Sequence, residues 1–214
     1  MVIKMNQFNE KKFQQNIQNN NNILSCFYYG SRVYGTFNEN SDFDFIVVTN
    51  QKEDIAFHHC DITAYTKEEF EEKIQQHEIS ILECLFLPTE KIIKNEVQWT
   101  FHKDLGLLRK SISEKSSNSW VKCKKKFLVE QDYNPYIGKK SAWHSLRLLD
   151  FGKQIAVHNQ IIHYSSMNDL YDSVMSCQSW EEIEQNFKKI YNQKSTEFKL
   201  VAPKNIDNTT KIKI

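Results

Sequence analysis

Residues 28–48 read YYGSRVYGTFNENSDFDFIVV, and their reading decides the fold. Just before the glycine, ILSCFYY (23–29) is β-branched and aromatic, the composition of a strand, and Gly30 stops it. After a polar loop, DFDFIVVT (42–49) reads as a second strand. Residues two apart on a strand share a face. Asp42 and Asp44 therefore project together, while Phe43 and Phe45 point to a core. Neighbouring carboxylates repel, and a cation between them relieves the repulsion. Hard oxygen ligands with room left for water and phosphate suit magnesium. A carboxylate inside DFDFIVV is costly to bury without such a partner.

Working outward, a polar loop around 50–54 leads to AFHHCDITAY (56–65), a third strand carrying the isolated Asp61. Adjacent strands lie about 4.8 Å apart, so a suitable register lets Asp61 complete a three-carboxylate cluster. Such a cluster serves two-metal chemistry, in which one ion activates an attacking oxygen and the other holds a leaving phosphate. Gly30 lets the backbone turn tightly and approach a ligand. The Ser31 hydroxyl and nearby backbone N–H groups then hold phosphate oxygens. Arg32 stands beside them, where packing at the turn is its first role and substrate contact its second. His58 and His59, read as neighbours on a strand, point to opposite faces and share no site.

The pattern resembles a known signature. Gly30-Ser31, ten residues, then Asp42-Phe43-Asp44-Phe45 is similar to the hG-[GS]…D-h-[DE]-h motif of the DNA polymerase β-like nucleotidyltransferase superfamily. GSRVYGTFNENSDFDF looks most like the small predicted nucleotidyltransferases with G-S-R-x-[WY]-G followed by S-D-x-D, and the likeness runs from Cys26 to about Pro88. It implies transfer of a nucleoside monophosphate from a nucleoside triphosphate, ATP among the candidates, with release of pyrophosphate. It further implies Mg2+ or Mn2+ held by Asp42, Asp44 and Asp61, with Asp61 helping to accept the proton of the attacking hydroxyl.

The rest of the chain sets the frame. Its 214 residues suffice for a sizeable core, and 28 basic against 27 acidic residues give no global field to recruit nucleic acid. Five cysteines, odd in number and scattered, argue against a disulfide framework or structural zinc and point to a reducing, cytoplasmic compartment. No apolar run approaches a membrane span, and no signal-peptide pattern opens the chain. FNEKKFQQNIQNNNN (8–22) reads as a helix with a thin stripe of Phe8, Phe13 and Ile17, ended by the asparagines. TKEE (66–69) is a capping box opening a helix to about His77, and an apolar run from Ile79 to Leu87 ends at Pro88. Glu83 within that run reads as half of a structural pair.

From Trp99 onward nearly every segment has helical periodicity, with SWEE (179–182) as another capping box. Past Pro135 and Gly138, a strong helix spans about Lys139 to His158. On it Lys140, His144 and Arg147 fall on one face and Ala142, Leu146 and Leu149 on the opposite, core-facing side. Trp143 and Leu148 flank the basic stripe, which suits a partly enclosed cleft where cations neutralise triphosphate charge. The KSAWHSLR stretch also resembles a helix that follows the catalytic domain in the small nucleotidyltransferases. KCKKKF (122–127) reads first as solvated surface and second as a docking patch for a nucleic-acid or nucleotide acceptor.

The expected fold is thus α/β (α+β), a small mixed sheet forming a nucleotidyltransferase core (1–95), then a helical domain closing the cleft (96–193) and a tail (194–214). The expected function is metal-dependent nucleotidyl transfer to an acceptor among RNA, a protein hydroxyl and a small molecule. The rival is a catalytically silent binding subunit of a larger assembly that keeps the same fold.

Overall fold

Ile23–Tyr29 forms strand β1 at the centre of a mixed four-stranded sheet, as its apolar composition requires. The computed structural model describes residues 8–53, 55, 57–204 and 209–214. β1 is antiparallel both to β2 (Asp44–Thr49) and to β4 (Ile92–Asn95), while β3 (Asp61–Thr66) pairs parallel with β2, giving the order β3-β2-β1-β4.

Both faces of the sheet are covered, so its central strands are apolar on both sides. Helix α1 (Glu10–Asn19), capped by Asn9 accepting from the Lys12 amide, packs Phe13 and Ile17 on Cys26, Tyr28, Phe45 and Val47. The rings of Phe13 and Phe45 stack at 4.2 Å, and Phe8 joins from the helix entrance. On the other side, Phe27 stacks on Phe70 of helix α3 (Lys67–Gln75), which in turn meets Trp99 at 4.8 Å. Between β1 and β2 lies one short helix, α2 (Ser31–Tyr34), and helix α4 (Ile79–Leu85) carries the apolar run. The TKEE capping box closes in both directions: Glu69 takes the Thr66 amide proton at 2.8 Å, and Thr66 Oγ1 takes that of Glu69 at 3.3 Å.

Several expected boundaries move. The second strand starts at Asp44, so Asp42 precedes it. The third starts at Asp61, with Ala56 outside the described residues and His58 and His59 on a turn rather than a strand. His59 has φ +66, a left-handed conformation that ends any extended run there. Asp54, at the end of the expected 50–54 loop, also lies outside the described residues.

The chain divides into two compact units, one of residues up to Gln75 with Ser80–Phe101 and Lys213–Ile214, the other of Gln76–Ile79 with His102–Ile212. The second unit is built on α5 (Leu105–Leu128), α6 (Pro135–His158), α7 (Tyr171–Ser176) and α8 (Trp180–Val201). α6 begins four residues before the expected start, because Pro135 occupies its first turn and Asn134 caps it. α5 and α6 pack antiparallel: Ser116 Oγ donates to the Ser145 carbonyl at 2.8 Å, and a Cβ on Gly138 would stand 2.8 Å from the Phe127 ring. Trp120 of α5 stacks on Tyr191 of α8 at 4.7 Å.

Two further corrections concern the second half. It is not wholly helical, since β5 (Thr100–Asp104) pairs with β6 (Thr209–Lys213). Nor is 194–214 a tail: α8 continues through Val201 and β6 follows, with 205–208 outside the described residues. β5 and β6 are short and half-polar, without the apolar alternation that marks a strand in sequence.

Candidate active site

The β2–β3 register places Asp44 directly opposite Asp61. In a parallel pair, opposed residues point to the same face, so the two carboxylates share one end of the sheet. Phe45 and Val47 of β2 are buried in the α1-side core, which turns Asp44 toward the opposite face as the alternation demands. Next to the pair, the Cys60 thiol is pushed up to about 11, by burial first and then by the negative charges of Asp61 and Asp44. Burial and the two carboxylates thus both favour the Cys60 thiol over its thiolate.

Gly30 explains the first half of the motif. It has φ +71 and ψ −149, and a Cβ there would stand 2.2 Å from Asp44 Oδ2. The carboxylate thus rests against the backbone of the turn, in the space a side chain would fill. Ser31 follows as the first residue of α2, and Gly35 closes that turn in the left-handed conformation with its amide on the Ser31 carbonyl at 2.9 Å.

Asp42 is exposed at the end of the loop entering β2. Arg32 holds that loop: its guanidinium donates to the carbonyls of Ser41 at 2.9 Å and Asp42 at 3.3 Å, and lies 3.5 Å from the centre of the Phe43 ring. Arg32 thus braces the loop that carries Asp42.

Among the described residues no three His, Cys, Asp or Glu side chains are gathered as a metal-binding group. The Asp44–Asp61 pair nonetheless fits a hard dication, because magnesium takes one or two carboxylates and fills its remaining positions with water and phosphate oxygens.

The sequence reading did not foresee the role of Tyr34. Its hydroxyl donates to Glu83 Oε2, a fully buried carboxylate in α4, and so ties the glycine-serine turn to that helix. An aromatic with a hydroxyl in the motif, and one acid in an otherwise apolar helix, were the available signals.

The basic residues of α6 occupy graded environments. Lys140 is exposed with its ammonium 5.2 Å from the Tyr136 ring centre. Arg147 is only 3% exposed, over the rings of Trp143 at 4.6 Å and Phe151 at 5.5 Å, and its Nη2 meets His144 Nδ1 at 2.9 Å. His144 is held well below the ordinary imidazole range, by burial first and then by the charges of Arg147, Lys115 and Lys122. It is neutral at physiological pH, so it adds no charge to the stripe; its Nδ1 accepts from Arg147. Ala142, Leu146 and Leu149 fill the core, as their spacing predicts.

The mixed sheet, with its glycine turn against paired carboxylates on adjacent strands, is the arrangement that the resemblance in the sequence implies. The family model described as polymerase beta, nucleotidyltransferase matches residues 11–99, so the chain carries a domain of the DNA polymerase β-like nucleotidyltransferase superfamily, with a function of nucleotidyltransferase type. No curated protein and no solved structure matches the chain. Among the described residues no helix is long and apolar enough to cross a membrane.

Proposed function

We propose that the protein is an active nucleotidyltransferase, closest to the small enzymes with the G-S-R-x-[WY]-G motif, moving a nucleoside monophosphate from a nucleoside triphosphate to an acceptor hydroxyl. The observation that carries this reading is the direct register of Asp44 with Asp61, with the Asp44 carboxylate seated against Gly30. In the reaction an acceptor hydroxyl oxygen bonds to the α-phosphorus, the bond to the β-phosphate bridging oxygen breaks, and pyrophosphate leaves. Asp61 takes the hydroxyl proton. The Ser31 hydroxyl and the backbone at Gly30 hold phosphate oxygens, and Asp42, on the loop that Arg32 braces, would join the donors when a metal binds.

Bound by these aspartates, Mg2+ or Mn2+ supplies neutralising charge to the triphosphate and acidity to the acceptor hydroxyl. Arg147, under the rings of Trp143 and Phe151, and His144, which accepts from it, are held within the packing around α6.

Each α-labelled nucleoside triphosphate, ATP first, incubated with Mg2+ or Mn2+ and with RNA, protein extract or no acceptor, tests the reading. Label is expected on one acceptor class with the wild type and to fall by at least a hundredfold, about 10²–10⁴ for loss of proton-transfer and charge-stabilising groups, in Asp44→Asn with Asp42→Asn and in Asp61→Ala. Equal transfer by those variants removes the aspartates from the chemistry. Nucleotide binding without transfer under every condition identifies the silent binding subunit instead.

A further inference from the structure

The charge of the molecule is near zero as a whole but not locally. Residues 115–140, the facing ends of α5 and α6 with the turn between them, hold seven lysines against only Glu130 and Asp132. Two of the lysines are engaged internally, Lys126 with Asp132 and Lys139 with the Met175 carbonyl at 2.9 Å. Lys115, Lys122, Lys125 and Lys140 are exposed. Lys115 and Lys122 are seven residues apart on α5 and so share one face of that helix, and Lys140 lies on α6.

The same end of the hairpin exposes aromatic surface. Tyr133 is 62% and Tyr136 54% exposed, although tyrosines commonly bury their rings. Lys140 stands over the Tyr136 ring face, which pairs a cation with a stacking platform. Lysines that follow a backbone, interleaved with accessible aromatic faces, are the combination that binds single-stranded nucleic acid without sequence preference. Two accessible ring faces beside cations match a partner that offers both phosphates and stacking bases.

We propose that the α5–α6 hairpin end is a docking surface for single-stranded nucleic acid, with phosphates on Lys115, Lys122, Lys125 and Lys140 and bases on Tyr133 and Tyr136. The inference rests on the nucleotidyl-transfer reading in one respect: it names the acceptor as the hydroxyl-bearing end of that strand. Docking itself needs no catalysis.

The test is fluorescence anisotropy of the full chain with labelled single-stranded RNA and DNA of the same short length, without nucleoside triphosphate, at about 50 mM salt and above. The two arms separate the sources of the shared phosphate-and-base chemistry. Expected is saturable binding that Tyr133→Ala with Tyr136→Ala weakens at least tenfold. Lys122→Gln with Lys125→Gln should make the slope of log affinity against log salt shallower by about 1.4, or about 0.7 per lost contact. Both variants are at exposed positions, and unchanged circular dichroism confirms their fold. No binding at low salt overturns the proposal, as does equal binding by both variants, or loss in the variants of binding to anionic lipid vesicles alone.

Asp44→Asn with Asp61→Asn separates this inference from the activity. Undiminished strand binding by that variant supports the docking surface even if no transfer is found. Label transferred only to protein or a small molecule, at a rate the tyrosine variant leaves unchanged, overturns the docking proposal and leaves the transferase reading in place.

Discussion

A methyl group on residue 30 would stand 2.2 Å from Asp44 Oδ2, far inside van der Waals contact. The backbone there, φ +71 and ψ −149, is also one that only glycine adopts cheaply. Gly30→Ala should therefore cost about 1–3 kcal/mol from the backbone alone, lowering the Tm by about 3–10 °C. It should also abolish transfer, because Asp44 must swing aside; thermal melts with the labelled-nucleotide assay check both parts. Tyr34 and Glu83 offer a second case. Tyr34→Phe leaves a buried carboxylate short of a donor and should cost about 1–3 kcal/mol. In a double-mutant cycle with Glu83→Gln, denaturant melts should return a coupling above about 0.5 kcal/mol.

Within α6, the neutral state of His144 makes stability depend on pH. Its folded pKa is depressed, so the unfolded chain takes up a proton near the reference value of 6.5 while the folded chain does not. This contribution is complete above that value and is lost as pH falls through it toward the folded value. The Tm should drop between about pH 7 and 5, and His144→Gln, which keeps an acceptor for Arg147, should flatten the drop. Asp150 acts in a separate window. Burial raises its pKa, but hydrogen bonds from Ser166, Gln154 and Lys194 outweigh that and hold it below 3.8, so its contribution disappears only under stronger acid. At this scale the sequence was informative where one period dominates. α1, α3 and α6 follow from their apolar stripes and caps, and β1 from its composition. Arg147 shows the limit: a helical wheel assigns it a face, but its burial under Trp143 and Phe151 depends on what packs there.

At the scale of the whole molecule, the chain passes from the first unit to the second and back, crosses again at His102, and returns to the first at Lys213. Trp99 belongs to the first unit, packs on Phe70, and exchanges both backbone hydrogen bonds with Ile214, at 2.9 and 3.0 Å. A fragment ending at residue 95, the expected domain boundary, therefore lacks a buried ring of its own core. It should melt without a cooperative transition in circular dichroism, whereas the full chain melts cooperatively. The sequence could not show this, because the pairing of residue 99 with residue 214 is a contact between distant short segments with no periodicity. The carboxylates were legible for the opposite reason: Asp44 and Asp61 are fixed by strand alternation and by one register. Asp42 was placed a step too far into the strand, since the boundary depends on the loop that Arg32 holds.

The contact between Gly30 and Asp44 also orders the history this site can have. While the acid stands, any side chain at position 30 collides with it, so substitutions there are closed to drift. Once the acid has shrunk, only backbone strain resists, and the glycine becomes replaceable. A lineage sliding toward a binding-only role would thus shed the aspartate before the glycine.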